Sequence, residues 1–219
     1  MSRPSYRAYF VWQRNRDVFL RLWKSELGES VGEPLIILAA MGVGLGSFVG
    51  PVNGQSYLSF IAPGIVAAYA MFGASFECTY GSFLRMEVQR TFDAIIATPL
   101  EVEDVIAGEI LWGTTRAVLS ALTLLVVLAI FGLVDSPWAI LVPLAAALIG
   151  FIFASLSMAC TAIVPSIHDF SYYFTLFETP MFFFSGVFFP LSSLPDAVRW
   201  LAWVLPLTHG VNLVRASLQ

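Results

Sequence analysis

The chain has 219 residues, 58% of them apolar and 12% charged, with a formal net charge of −4 and a mean hydropathy of +0.80. A soluble domain carries roughly 25% charged residues, so this composition cannot clothe a water-facing surface; it excludes a soluble enzyme, disorder and, for want of a basic run, nucleic-acid binding. What remains is an all-α, polytopic helical membrane protein, with room for five or six spans at roughly 20 residues each and for no separate soluble domain.

Residues 1–33 form a basic, aromatic lead-in. Arg3, Arg7, Arg14, Arg16, Arg21 and Lys24 supply charge, and Tyr6, Tyr9, Phe10, Trp12, Phe19 and Trp23 supply rings. Val18, Phe19, Leu22, Trp23 and Leu27 fall at helical spacing. The expectation is an amphipathic helix in the membrane interface, with rings at headgroup depth and basic groups on anionic lipid. A plain solvated helix packed on the rest of the protein is the alternative. No apolar h-region precedes it, so a cleavable signal peptide is not expected.

The first span is expected from about Pro34 to Val49, with Pro34 at a first helical position. Gly42, Gly46 and Gly50 give small-xxx-small spacing for close helix packing. The same run, Gly-Val-Gly-Leu-Gly-Ser, is not a dinucleotide fingerprint, because no strand precedes it. Asn53-Gly54 signals a turn. The second span is expected over about Tyr57–Phe83, and a polar stretch follows from Leu84 to about Glu109. The third span is about Ile110–Val134, the fourth about Ala139–Val164, and the fifth, dense in phenylalanine, about Phe170–Phe189. Residues 190–219, interrupted by Pro206, read as outer interfacial or re-entrant helices. Cys78 and Cys160 sit in apolar segments and read as free thiols packed as small hydrophobes.

Basic residues set the orientation. Six lie in the lead-in and three, Arg85, Arg90 and Arg116, near the 84–109 stretch. The tail holds only Arg199 and Arg215. The N-terminus and the 84–109 loop are therefore expected in the cytoplasm.

Within the spans, Glu77 and Arg116 fall near the same face and can pair. Glu178, beside Thr179-Pro180, is the deepest carboxylate. An intramembrane carboxylate is a functional candidate because its burial is costly; a hydrogen bond at a proline kink is the structural alternative. The chain lacks the Gly-Lys-Ser/Thr of a phosphate-binding loop and any HExxH, so it is not expected to hydrolyse ATP, bind a cofactor or hold a metal. In the cytoplasmic stretch, Thr98-Pro99-Leu100-Glu101 has the form of a capping box. The preceding Thr91–Ala97, with Phe92, Ile95 and Ile96 apolar, reads as a short helix whose apolar knob suits a docking partner, or as a plain helix corner.

The run Arg90-Thr91-Phe92-Asp93-Ala94-Ile95-Ile96-Ala97-Thr98-Pro99-Leu100, followed by Gly108-Glu109, resembles the coupling loop of ABC-2-type exporter permeases. Phe184-Ser185-Gly186-Val187-Phe188-Phe189-Pro190 and Leu205-Pro206-Leu207-Thr208-His209 resemble the late part of that family. Gly64–Gln89 is most like its nodulation J-type branch, which exports lipo-chitooligosaccharides with a separate ATPase. The resemblance implies a homodimer of six-span subunits in the bacterial inner membrane. It implies an ABC ATPase partner that carries ATP and Mg, and coupling through Arg90, Thr91, Phe92, Asp93, Ile95, Ile96, Thr98 and Pro99. It also implies a final span beyond the Pro-Leu-Thr-His segment that these 219 residues do not include. Phe182, Phe183, Phe184, Phe188 and Phe189 are candidates for an aromatic cargo path suited to sugar rings and acyl chains. Two other readings stand beside the exporter: a non-transporting membrane scaffold, and an ion-coupled transporter using Glu178.

Overall fold

A computed structural model describes residues 5–52 and 54–218, apart from the side chains at 24–27, 29–31 and 43. Arg3, Asn53 and the side chains of Lys24 and Leu27 lie outside the described residues. Among the described residues, four stretches are long and apolar enough to cross a bilayer: Gly32–Val49, Tyr57–Val88, Val102–Ile130 and Pro137–Thr161. The chain is all-α and polytopic, as its composition required.

Helix α1 (Ala8–Ile37) continues through a π-helical stretch, Leu38–Leu45, into the final turn α2 (Gly46–Val49). The lead-in and the first span are thus one helix rather than two. Pro34 lies inside it, not at a first turn. A membrane helix tolerates the missing amide where local π adjustment and neighbours satisfy the freed backbone groups, and the π stretch begins at Leu38. Gly42 gives close approach: a Cβ there would meet Leu58 Cδ1 at 2.3 Å. Gly46 has ordinary clearance, with Tyr57 Cβ at 3.6 Å. Gly50 does not pack at all; its φ of +72° makes it the turn residue that ends the helix.

Helix α3 (Tyr57–Phe76) starts on Ser56, whose side chain accepts from the Ser59 amide. Two π-helical stretches, Glu77–Gly81 and Leu84–Val88, carry it on to Val88. At 1.5 Å per residue Tyr57–Val88 is roughly 48 Å long, against about 30 Å of hydrocarbon. The polar stretch expected from Leu84 is therefore helix projecting beyond the bilayer core. α3 is buried nearly all round from Phe60 to Met71, which makes it the central helix of the bundle.

A short helix, α4 (Thr91–Ile96), follows Arg90, which adopts a left-handed φ of +52°. Helix α5 (Val102–Ile130) starts ahead of the expected span and runs into it, as the capping box near Glu101 led one to expect. Its cap is Glu101 with Asp104, not Thr98 with Glu101. The reason is local: the Thr98 hydroxyl donates to Ile95 O at 2.6 Å and closes α4, so it is not free to open the next helix. A 3-10 turn, Pro137–Leu141, leads into α6 (Val142–Thr161).

The expected fifth span is helical from α7 (Phe170–Tyr173) through a π-helical stretch, Phe174–Glu178, to α8 (Thr179–Phe184). It stops at Ser185-Gly186, where Gly186 has φ +79°. That length is roughly 22 Å, shorter than the expected Phe170–Phe189. Helices α9 (Asp196–Val204) and α10 (Pro206–Leu218) meet at the extended Leu205. Gly210 abuts Ile149 in α6, while Leu218 O accepts the Asp135 amide at 3.3 Å. α10 therefore runs from alongside α6 back to the α5–α6 turn. The core holds Ile61, Ile65 and Met71 of α3, Leu124 and Leu128 of α5, Phe153 of α6, Met181 of α8 and Leu207 of α10. Cys78 is buried in it, while Cys160 is only partly covered.

Candidate functional site: a buried charge network beside an aromatic cavity

The N-terminal helix presents one face to α5. Ala8, Val11 and Asn15 are buried at helical spacing. Gly108 lets them approach: a Cβ there would meet Val11 Cβ at 2.5 Å and Ala8 O at 2.7 Å. Trp12 Nε1 donates to Thr115 Oγ1 at 2.8 Å, and Phe19 stacks edge-on against Trp112 at 5.7 Å. Two further bonds tie the start of the chain to the α4–α5 corner. The Ser5 amide donates to Asp104 Oδ1 at 2.6 Å, and Arg7 donates to Pro99 O. The helix packs on the bundle, the second of the two readings of this segment. Tyr6, Tyr9, Phe10, Leu20 and Trp23 remain exposed.

Under that helix, two carboxylates and two guanidinium groups meet. Glu109 of α5 is fully buried. Its Oε2 accepts from Arg85 Nη2 at 2.5 Å and from the Ser82 hydroxyl at 2.7 Å, while Oε1 accepts from Asn15 Nδ2 at 2.9 Å. Arg85 Nη1 also reaches Glu77 Oε1 at 2.8 Å, and Glu77 Oε2 faces Arg116 Nε at 3.4 Å. The Arg116 guanidinium lies over the Phe19 ring at 4.8 Å. Arg14 sits at the edge, donating to Asn15 Oδ1 at 3.1 Å. Its pKa is lowered by burial and then by the charge of Arg85. A buried ion pair holds only when its remaining lone pairs and protons are also bonded, and Ser82 and Asn15 meet that need for Glu109. The Glu77–Arg116 pair read from sequence is formed. Arg85 and Glu109, which complete the network with Asn15, were not read as partners, because both fall in the polar 84–109 stretch outside the expected spans.

Beside the network lies a cavity of about 390 Å³, lined by Tyr69, Phe72, Phe76, Phe174, Glu77 and Arg116 among others. Phe76 and Phe174 stack at 4.4 Å and 18°. Aromatic faces next to a carboxylate and a guanidinium suit an amphipathic molecule. The five phenylalanines proposed from sequence do not form this cavity. Phe182 and Phe188 pack edge-on at 4.9 Å, and Phe183 and Phe184 are largely exposed.

The short helix α4 turns Phe92 inward, against Val105, Met158 and Met86. Phe92 is therefore an anchor, not an outward knob. The exposed face carries Asp93, Ala94 and Ile96, and Thr98 and Pro99 follow it. Ile95 is partly covered. Arg90 lies 3.7 Å from Asp93 and 3.9 Å from Glu87, all exposed. Thr91, Ile95 and Thr98 face Phe10 and Arg14 across a groove of about 380 Å³.

The family model for ABC-2 type transporters matches residues 7–218. The chain belongs to that family. It is similar to nodulation protein J of Sinorhizobium fredii, at 38% identity over 95% of this chain and 79% of the relative. The nodulation protein J of Rhizobium leguminosarum bv. trifolii is 41% identical over 94% and 78%. The inner membrane transport permease YadH of Escherichia coli is more distant, at 23% over 92% and 78%. In ABC-2 terms the chain is an export permease of the membrane, and the short α4 stands where the coupling loop was read.

One polar residue of this ABC-2 bundle stands apart. Glu178 is fully buried between α7 and α8, and neither of its carboxyl oxygens has a hydrogen-bond partner. Nearby, Ser157 and Tyr173 share a hydroxyl contact at 3.1 Å. The hydroxyls of Ser75 in α3 and of Tyr173 are the polar groups that face its carboxyl. Among the described residues no group of His, Cys, Asp and Glu has metal-holding geometry.

Proposed function

We propose that this chain is the membrane subunit of an ATP-driven exporter for a lipo-oligosaccharide, a glycolipid or an amphipathic drug-like molecule. ATP and Mg belong to a separate P-loop ATPase, and two copies of this chain enclose the path. The N-terminus and α4 face the cytoplasm of a bacterium, on the positive-inside argument, and the chain sits in the inner membrane.

The observation that carries this reading is the position of α4. It joins the projecting end of the second span, at Val88, to the start of α5. Phe92 fastens it to α5 and α6 through Val105 and Met158. The same two spans are cross-linked by Arg85 and Glu109. A push on the exposed Asp93–Ile96 face thus acts on the ends of two helices whose relative position the network fixes. The aromatic cavity shares Glu77 and Arg116 with that network, so a cargo seated there touches the groups that hold the helices. Packed bundles of this kind switch between discrete arrangements rather than deform smoothly.

The test is affinity purification of the chain from solubilised membranes, with mass spectrometry of what accompanies it. A stoichiometric P-loop ATPase, lost on Ile96→Asp while the chain still inserts, supports the reading. Recovery of the wild-type chain without an ATPase overturns it.

A further inference from the structure

At the end of the bundle remote from α4, a second cavity of about 320 Å³ opens between the start of α3, the loop after α8, and α9–α10. Its polar lining is Arg215, Asn212 and Gln55, and its apolar lining includes Trp203, Phe60 and Leu191. Among the described residues no carboxylate lines it. Arg85, Arg116 and Arg199 each face an acidic side chain. Arg215 makes no ion pair among the described residues. Its Nη2 donates to Gly186 O at 2.9 Å and to Phe60 O at 3.4 Å, and its guanidinium lies over the Phe60 ring at 4.5 Å. Its Nε is buried without a partner.

We infer that this cavity is an oxyanion site, and that its ligand is a phosphate group. A guanidinium has five N–H donors in a fixed fork that matches phosphate oxygens. Two backbone carbonyls occupy one terminal nitrogen of Arg215, and its other terminal nitrogen makes no hydrogen bond among the described residues, so N–H donors remain for an acceptor in the cavity. The amides of Asn212 and Gln55 add donors, and the absence of acid from the lining favours an anion over a neutral sugar. The neighbouring α9 supplies the rest of the address. Trp200, Leu201 and Val204 are exposed apolar residues on a helix that also carries the Asp196–Arg199 ion pair. A helix of that kind lies in a bilayer interface with its rings at headgroup depth. A phospholipid phosphate on Arg215, with its acyl chains along α9, fits both features. A soluble phosphate is the other source of the same chemistry. This site is independent of the export reading above.

The experiment is thermal unfolding of the purified full chain in detergent, titrated with phosphatidylglycerol, with phosphate-free diacylglycerol, or with inorganic phosphate. Phosphatidylglycerol is expected to raise the midpoint as its concentration rises, while diacylglycerol leaves it unchanged. Arg215→Gln is expected to weaken that response about tenfold or more, the size of a lost charge-assisted contact. Arg199→Gln leaves the response intact. An equal, Arg215-dependent response to inorganic phosphate assigns the site to a soluble anion. No response of the wild type, or an undiminished one in Arg215→Gln, overturns the site, because a purely structural staple loses stability equally with and without ligand. Should Arg215→Gln fail to fold, Asn212→Ala decides: a weakened response supports the site and an unchanged one removes it.

Discussion

Arg85, on the projecting end of the second span, closes a 2.5 Å ion pair on Glu109 of α5, and Glu109 is fully buried while Arg85 keeps only 14% of its side chain exposed. Each of these residues has second partners: Glu77 for the arginine, Ser82 and Asn15 for the carboxylate. The pair therefore sets the spacing of two spans and of the N-terminal helix at once.

Removing one member of a buried pair strands the other. Arg85→Met is expected to lower stability by about 3–5 kcal/mol, because two carboxylates lose their principal partner. Arg116→Met is expected to cost less, since Glu77 keeps Arg85. Chemical unfolding of the detergent-solubilised variants orders the two. Equal losses would show that Glu109 is held by Ser82 and Asn15 alone.

Glycine 108 is expected to admit no side chain. A Cβ would strike the Ala8 carbonyl and Val11 Cβ, and the former is backbone that cannot swing aside. Gly108→Val is expected to lift the N-terminal helix from α5 and expose it to limited proteolysis. At Gly28 nothing lies within 4 Å, so Gly28→Ala is expected to be neutral or to stabilise the helix by up to about 1 kcal/mol. Equal protease resistance of Gly108→Val and wild type would remove the close packing.

Two neighbours on α4 are expected to separate stability from coupling. Phe92→Ala opens a hole between Val105 and Met158 and is expected to cost about 3 kcal/mol. Ile96 is 42% exposed, and Ile96→Ala is expected to stay within about 0.5 kcal/mol of wild type while weakening ATPase capture. Melting curves and co-purification, measured on the same preparations, test both halves. A stable Phe92→Ala would place that ring outside the core.

Glu178 is buried with the hydroxyls of Ser75 and Tyr173 beside its carboxyl and no cation paired to it among the described residues, so its removal is expected to help folding. Glu178→Gln is expected to leave the melting midpoint unchanged or raised, because a neutral amide costs less to bury than a carboxyl that can ionise. A fall of several degrees would mean that the carboxyl has a partner. Transport that survives Glu178→Gln with its pH dependence unaltered removes the ion-coupled reading.

Elements set by local rules were legible along the chain. The long apolar runs became the spans of α3, α5 and α6. Pro206 marked a break between helices, and the short segment at 91–97 became α4, whereas Gly50, read as a packing glycine, proved to be a turn. Glu77 and Arg116 could be paired in advance because both lie near the same end of adjacent spans. Their partners could not. Glu109 follows a stretch with the composition of a solvated loop, and only its place under Asn15 and Arg85 makes it interior. Phe92 was read outward for the same reason. An apolar side chain in a loop has no fixed direction until α5 and α6 offer Val105 and Met158 to receive it.

By itself the sequence determined the class of the protein. With 12% charged residues and apolar runs near the length of a bilayer, the backbone must satisfy its own hydrogen bonds in lipid, and helices are how such runs do it. The sequence also carried the family to which the chain belongs, through a match that spans residues 7–218. The tertiary structure alone decided which charges are buried together, which face of α4 is free, and that Arg215 stands over a cavity lined by Asn212, Gln55 and Trp203. Those outcomes depend on contacts between residues up to 155 positions apart, as between Phe60 and Arg215. No local periodicity encodes such distances, because they are fixed only when the helices pack.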